Sequence, residues 1–212
     1  ASLMNVFLTG GSSGIGKQFK QHLDSNAYQV TAPTRQELDL ANLDIDTVDL
    51  KSYDYLILCA GVDTNGNAPF ATMNAEDFVN TVTVNLTSNI VLIHKYVQQR
   101  MFKPWSKVIV LGSQVVDGYH PAYGVYGTSK HGLDAFMSTI SYEFKDKNIG
   151  FTIMHPGLTK TNFNQNRGNV PEDKVNDLYD QIPHMKTEDL IPVFDQILHD
   201  EKNLITKISL TR

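Results

Sequence analysis

The chain has 212 residues, the length of one ordinary domain, and its 41% hydrophobic, 19% charged composition can fill a core, unlike that of a disordered chain. Lys and Arg number 18 against 23 Asp and Glu, so the net charge of −5 leaves no basic excess to neutralise a nucleic-acid backbone or an anionic lipid surface. No apolar run approaches the roughly 18 residues that cross a bilayer. The chain enters Met4–Thr9 with no leader, and the only cysteine, Cys59, has no internal disulfide partner. Together these features predict a cytoplasmic protein without nucleic-acid or membrane partners.

Short apolar runs alternate with stretches of helical spacing, which predicts an α/β fold built on a doubly wound parallel sheet of about six to seven strands, with helices on both faces, in one domain over 1–212. Strands are predicted near 4–9, 28–32, 55–60, 107–112, 149–155 and 204–210, with a very short one at Glu37–Leu40. Helices are predicted near 14–24, 74–101, 123–146, 171–181 and 187–199. Thr72 or Asn74 is placed to cap the second of these, and Pro171 suits a first helical turn. The polar excursion over 162–186 reads as a lid over a site, or as a plain surface insertion.

Thr9-Gly10-Gly11-Ser12-Ser13-Gly14-Ile15-Gly16 closes the first strand and opens the first helix, where free amide hydrogens and the helix dipole attract a phosphate. Gly11 to Lys17 spells the start of a P-loop, but Gln18 stands where a magnesium-holding hydroxyl belongs. The G-x-G-x-x-G dinucleotide pattern fails as well, with Phe19 at its third glycine. A purely structural glycine turn is the plain alternative. Further along, Tyr126 and Lys130 lie four residues apart in a predicted helix and so project from one face. A neighbouring ammonium favours phenolate over phenol, which would suit Tyr126 to acid-base work, whereas alone such a pair describes a solvated helix face. Ser113 follows an apolar strand at the carboxyl end, where open α/β sheets bind ligands. The seven histidines show no metal-ligand spacing, so no metal is expected.

T-G-x-x-x-G-x-G from Thr9, with Ser113, Tyr126 and Lys130 in that order, resembles the short-chain dehydrogenase/reductase family in its single-domain form. The resemblance runs from Thr9 to the last strand and implies a Rossmann-like fold and a nicotinamide cofactor. It implies Asn85, Ser113, Tyr126 and Lys130 as the catalytic set, with Asn85 ordering a proton-relay water and Lys130 gripping the nicotinamide ribose. Gly10, Ser12, Ser13, Gly14, Ile15 and Gly16 would meet the cofactor phosphates, and Ala60 and Gly61 the adenosine. Asp39 and Leu40 would meet the adenine, and Pro156, Gly157, Thr159 and Thr161 the nicotinamide side.

Two departures stand out. Leu58-Cys59 replaces the family's two asparagines, which leaves the support of that loop unexplained, and a helix is cut to a few residues around 42–50. Cys59 reads as a small buried hydrophobe. After the second strand, Thr34-Arg35 offers a cation for the 2′-phosphate of NADP(H), which is favoured over NAD(H); Glu37 or Asp39 would reverse that preference by binding a ribose hydroxyl.

The expected activity is interconversion of a small carbonyl compound and its alcohol by hydride transfer, with Tyr126 as acid and base. Gln114, Val115, Tyr119 and the lid from Phe163 to Met185 would set the substrate; Tyr119 and Tyr123 shape the pocket wall or pack as ordinary aromatics, and His131 is read as structural. The resemblance also implies a homodimer or homotetramer through the helices near 74–101 and 123–146. A cofactor-binding regulator without turnover is the alternative on the same fold.

Overall fold

The computed structural model describes residues 3–64, 66, 68–163 and 171–212; of the predicted lid, residues 164–170 lie outside the described residues. Six parallel strands form the sheet in the order β2-β1-β3-β4-β5-β8: β1 (Asn5–Thr9), β2 (Gln29–Thr31), β3 (Tyr55–Leu58), β4 (Ser106–Leu111), β5 (Ile149–Pro156) and β8 (Lys207–Leu210). Every pairing is parallel, for example Leu8 opposite Ile57 and Val110 opposite Ile153. A separate two-stranded sheet joins β6 (Thr159–Lys160) to β7 (Met185–Lys186).

Both sheet faces are covered, which is why the central strands read as unbroken apolar runs instead of alternating ones. Leu56, Leu58, Val108, Val110 and Phe151 point to one side, beneath α3 (Ser88–Arg100) and α4 (Gly124–Glu143). Tyr55, Ile57, Ile109 and Met154 point to the other, beneath α1 (Gly14–Ser25) and α6 (Ile191–Leu198). There Phe19 of α1 stacks on Phe194 of α6 with ring centroids 3.9 Å apart. α5 (Glu172–Gln181) lies in the excursion between β6 and β7, with Pro171 at its N-cap. Among the described residues no helix is long and apolar enough to cross a membrane.

Three local expectations change. No strand forms at Glu37–Leu40: Asp39 takes the amide of Ala41 at 3.0 Å and starts a 3-10 turn over Leu40–Asn42 instead. A second such turn at Ile45–Thr47, capped by Asp44, replaces the missing helix, while Leu40, Val48 and Leu50 still reach the core. The helix predicted over 74–101 is interrupted. α2 (Ala75–Val82), capped by Asn74, passes into a π-helical turn over Thr83–Thr87 before α3 begins. The wider turn loosens the regular ladder, and side chains take up its carbonyls: Ser88 Oγ donates to Val84 O at 2.7 Å and Asn89 Nδ2 to Asn85 O at 2.8 Å.

Candidate active site

The chain crosses from one half of the sheet to the other between β1 and β3, so the connections that leave their carboxyl ends run to opposite faces and leave a crevice between them. At their carboxyl ends lies a cleft of about 1060 Å³, reaching from the glycine-rich turn to the start of α4. The turn is tightly built. Gly10 has φ +75°, and a Cβ there would lie 2.6 Å from the Ala60 nitrogen; at Gly16 it would lie 2.1 Å from Gly10 O. Only glycine permits this approach of helix, turn and β3. α1 has no acidic residue in its first turn and no side-chain cap at Ser13, so its leading amides remain available to an anion.

Across the cleft, Ser113 follows β4 and caps a 3-10 turn over Gln114–Asp117, its Oγ accepting the Val115 amide at 3.1 Å. Tyr126 and Lys130 lie in the first turns of α4, both nearly buried, with the Lys130 ammonium 5.8 Å from the Tyr126 ring centre. Burial pulls the Lys130 amine down to about 8; its hydrogen bond is to a neutral carbonyl, Leu111 O, at 3.3 Å. Tyr123 and Phe163 flank the phenol, with ring centres 5.9 and 5.7 Å away.

Of the predicted site residues, Gly10, Ser12 to Gly16, Arg35, Asp39, Leu40, Ala60, Gly61, Ser113, Tyr126, Lys130, Pro156, Gly157, Thr159 and Thr161 line this one cleft. Cys59, read as a buried hydrophobe, lines it too, and burial pushes its thiol up to about 12. Two predicted residues stand behind the wall. Thr34 exchanges hydrogen bonds with Glu37, its amide donating to Oε1 at 3.0 Å and its Oγ1 accepting the Glu37 amide at 3.3 Å, so it braces the turn that carries Arg35. Asn85 is fully buried: its Oδ1 accepts the Val62 amide at 2.8 Å, and its Nδ2 donates to Val62 O at 2.7 Å and Ser129 Oγ at 3.1 Å. These bonds clamp the loop after β3 to α4, supplying support that Leu58-Cys59 cannot.

Some of the site was not legible beforehand. Leu38 and Ala41 complete the wall beside Asp39, and Asp117 and His120 line the cleft beyond Ser113. His155 was visible only as the residue before Pro156-Gly157; in the fold its ring touches the Ser113 amide. No local spacing signals that contact, because its partners come from different strands and helices.

The pattern that defines proteins described as short chain dehydrogenase matches residues 47–171, more than half of the chain. The chain is 25% identical over 194 residues to 3-oxoacyl-[acyl-carrier-protein] reductase FabG of Buchnera aphidicola subsp. Acyrthosiphon pisum, covering 80% of this chain and 79% of that one. It is 23% identical to carbonyl reductase family member 4 of Xenopus laevis, covering 79% of each. Among solved structures, the closed form of serine dehydrogenase complexed with NADP+ superimposes with a TM-score of 0.86 over 98% of this chain and 94% of that one, at 18% identity. 4-hydroxyisoleucine dehydrogenase complexed with NADH gives 0.78 over 97% and 96%, at 17% identity.

Proposed function

Because the chain belongs to the short chain dehydrogenase family, we propose that it is an NADPH-preferring oxidoreductase that interconverts a small carbonyl compound and its alcohol. The observation that carries this reading is the arrangement of the cleft: a hydroxyl, a phenol and a desolvated ammonium on one wall, and an uncapped helix N-terminus behind glycines on the other. The cleft fits a dinucleotide in kind, with amides for phosphate at Ser12 to Gly16 and Pro156, Gly157, Thr159 and Thr161 toward the nicotinamide end. When bound, the cofactor supplies or accepts the hydride at the substrate carbon.

In reduction, Tyr126 Oη gives its proton to the substrate oxygen as charge develops there, and Ser113 Oγ donates a hydrogen bond to the same oxygen. The Val115 amide already points at Ser113 Oγ, so Oγ is held as an acceptor on that side and its own hydrogen is free to turn into the cleft. The Lys130 ammonium stands beside the Tyr126 ring and favours its ionised form during proton transfer. Asn85 acts by positioning, since its side chain is committed to Val62 and Ser129.

Preference for NADPH rests on Arg35. The acidic residues that would oppose it are engaged in their own turns: Glu37 bonds the Thr34 amide, and Asp39 bonds the Ala41 amide and Asn42 Nδ2. Arg35 lines the cleft beside Asp39 and is left to meet a 2′-phosphate together with Ser12 and Ser13. The lid is assigned to the segment 162–186; in its described part Met185 and Lys186 pair with β6, and Tyr179 donates to Thr159 O at 3.2 Å. The reading includes a homodimer or homotetramer through the helices over 74–101 and 123–146, where Val79 and Tyr142 are exposed. Oxidation of NADPH followed by absorbance, with diacetyl, ethyl acetoacetate and nitrobenzaldehyde as probes, tests the activity. Repeated NADPH binding without oxidation by any carbonyl compound would leave a binding protein on this fold and end the enzymatic reading.

A further inference from the structure

His155, next to last in β5, has 1% of its surface exposed and is wedged between Ser113 and α4. Its Nδ1 accepts the Ser113 amide hydrogen at 3.0 Å, and its Nε2 lies 2.7 Å from Asp134 Oδ1. Lys207 Nζ, on β8, pairs with the same Asp134 oxygen at 2.8 Å. An amide can only donate, so Nδ1 carries no hydrogen and the ring is the neutral form with its hydrogen on Nε2, donated to the carboxylate. Burial opposes ionisation of Asp134, but the bonds from Lys207 and His155 prevail and hold its carboxyl below the usual carboxylate range. Gly112 makes the fit: a Cβ there would lie 2.3 Å from Nδ1 and 2.5 Å from Cε1 of His155.

Ser113 is thus held at two atoms, its amide by His155 and its Oγ by the Val115 amide. The amide hydrogen, spent on His155, is not offered to the substrate, which leaves the hydroxyl as the donor that Ser113 presents to the cleft. We propose that His155, oriented by Asp134, is a positioning residue for Ser113, setting where the hydroxyl meets the substrate oxygen. This rests on the oxidoreductase reading above.

Two substitutions separate the halves of the ring. In His155→Asn the amide oxygen sits at the same number of bonds from the backbone as Nδ1, so an acceptor for Ser113 remains and the donor to Asp134 is lost. In His155→Gln the amide nitrogen replaces Nε2 and the acceptor for Ser113 is lost. With NADPH and the best-used of the three carbonyl probes, His155→Asn should keep kcat within about threefold of the parent, whereas His155→Gln should lower it by about 10- to 100-fold with the KM for NADPH unchanged. Equal kcat in the two variants, or a His155→Gln protein altered only in melting temperature, overturns the positioning role. Should His155→Gln not fold, nitrogen-15 spectra of the histidine-labelled parent decide: a bare Nδ1 and hydrogen-bearing Nε2 are required, and a hydrogen on Nδ1 refutes the proposal. If the parent oxidises NADPH with none of the carbonyl probes, the failure lies in the functional reading beneath; if the parent turns over and the variants match, only the His155 inference falls.

Discussion

Replacing Lys130 with methionine should make the cofactor-free protein more stable at neutral pH, although it removes a group from the proposed active centre. Lys130 is 5% exposed and burial holds its amine at about 8 against an ordinary 10.5. That gap corresponds to about 3 kcal/mol that the folded chain gives up to keep the amine charged. The thiol of Cys59, pushed up to about 12, remains neutral throughout and supplies no counter-charge. The sign follows from proton binding: between pH 8 and 10.5 the unfolded chain holds this proton and the folded chain releases it, so the stability of the parent rises with pH there. Methionine does not titrate. Relative to Lys130→Met, the parent should therefore gain about 3 kcal/mol between those limits, the full cost being present below the folded value of about 8. Urea unfolding of both cofactor-free proteins from neutral pH to pH 10.5 measures this, because other groups titrate alike in the two chains and cancel in the difference. With a slope of about 3 kcal/mol per molar urea, the separation of midpoints should close by about 1 M across the range. Two curves that stay parallel would show that the ammonium is not desolvated.

Tyr126→Phe should lower turnover of any carbonyl probe by at least about 100-fold, since general acid catalysis contributes that much, while the NADPH-induced rise in melting temperature persists; substantial turnover removes the phenol from its role. Arg35→Ala should weaken NADPH binding by about 10- to 100-fold, the value of a charge-assisted hydrogen bond, and leave NADH binding unchanged, as read by titration calorimetry; equal losses for both refute the 2′-phosphate assignment. Gly16→Ala drives a Cβ to within 2.1 Å of Gly10 O, a backbone atom with no rotamer to change, so it should cost more than about 2 kcal/mol in denaturant unfolding and abolish the NADPH thermal shift. A variant of parental stability would mean that the turn is more pliable than its geometry states.

Features written within a few residues of one another could be read from the amino-acid order alone. The Gly10–Gly16 turn declares itself because tight backbone approach excludes side chains, and Tyr126 and Lys130 declare a shared face through the helical period. The doubly wound sheet was legible for a similar reason, as strands covered on both faces must be apolar throughout. Competition between neighbours hid other details. Glu37–Leu40 reads as a strand until Asp39 spends its carboxylate on Ala41, and the 74–101 helix reads as continuous until Ser88 and Asn89 turn their side chains onto backbone carbonyls. Tertiary structure alone decided the rest: that Asn85 clamps Val62, that Arg35 faces the cleft, and that His155 grips Ser113 from 42 residues away and Asp134 from 21. A hydrogen bond needs its partners placed to a fraction of an ångström, and for residues so far apart in the chain only the packing of helix against sheet provides that placement.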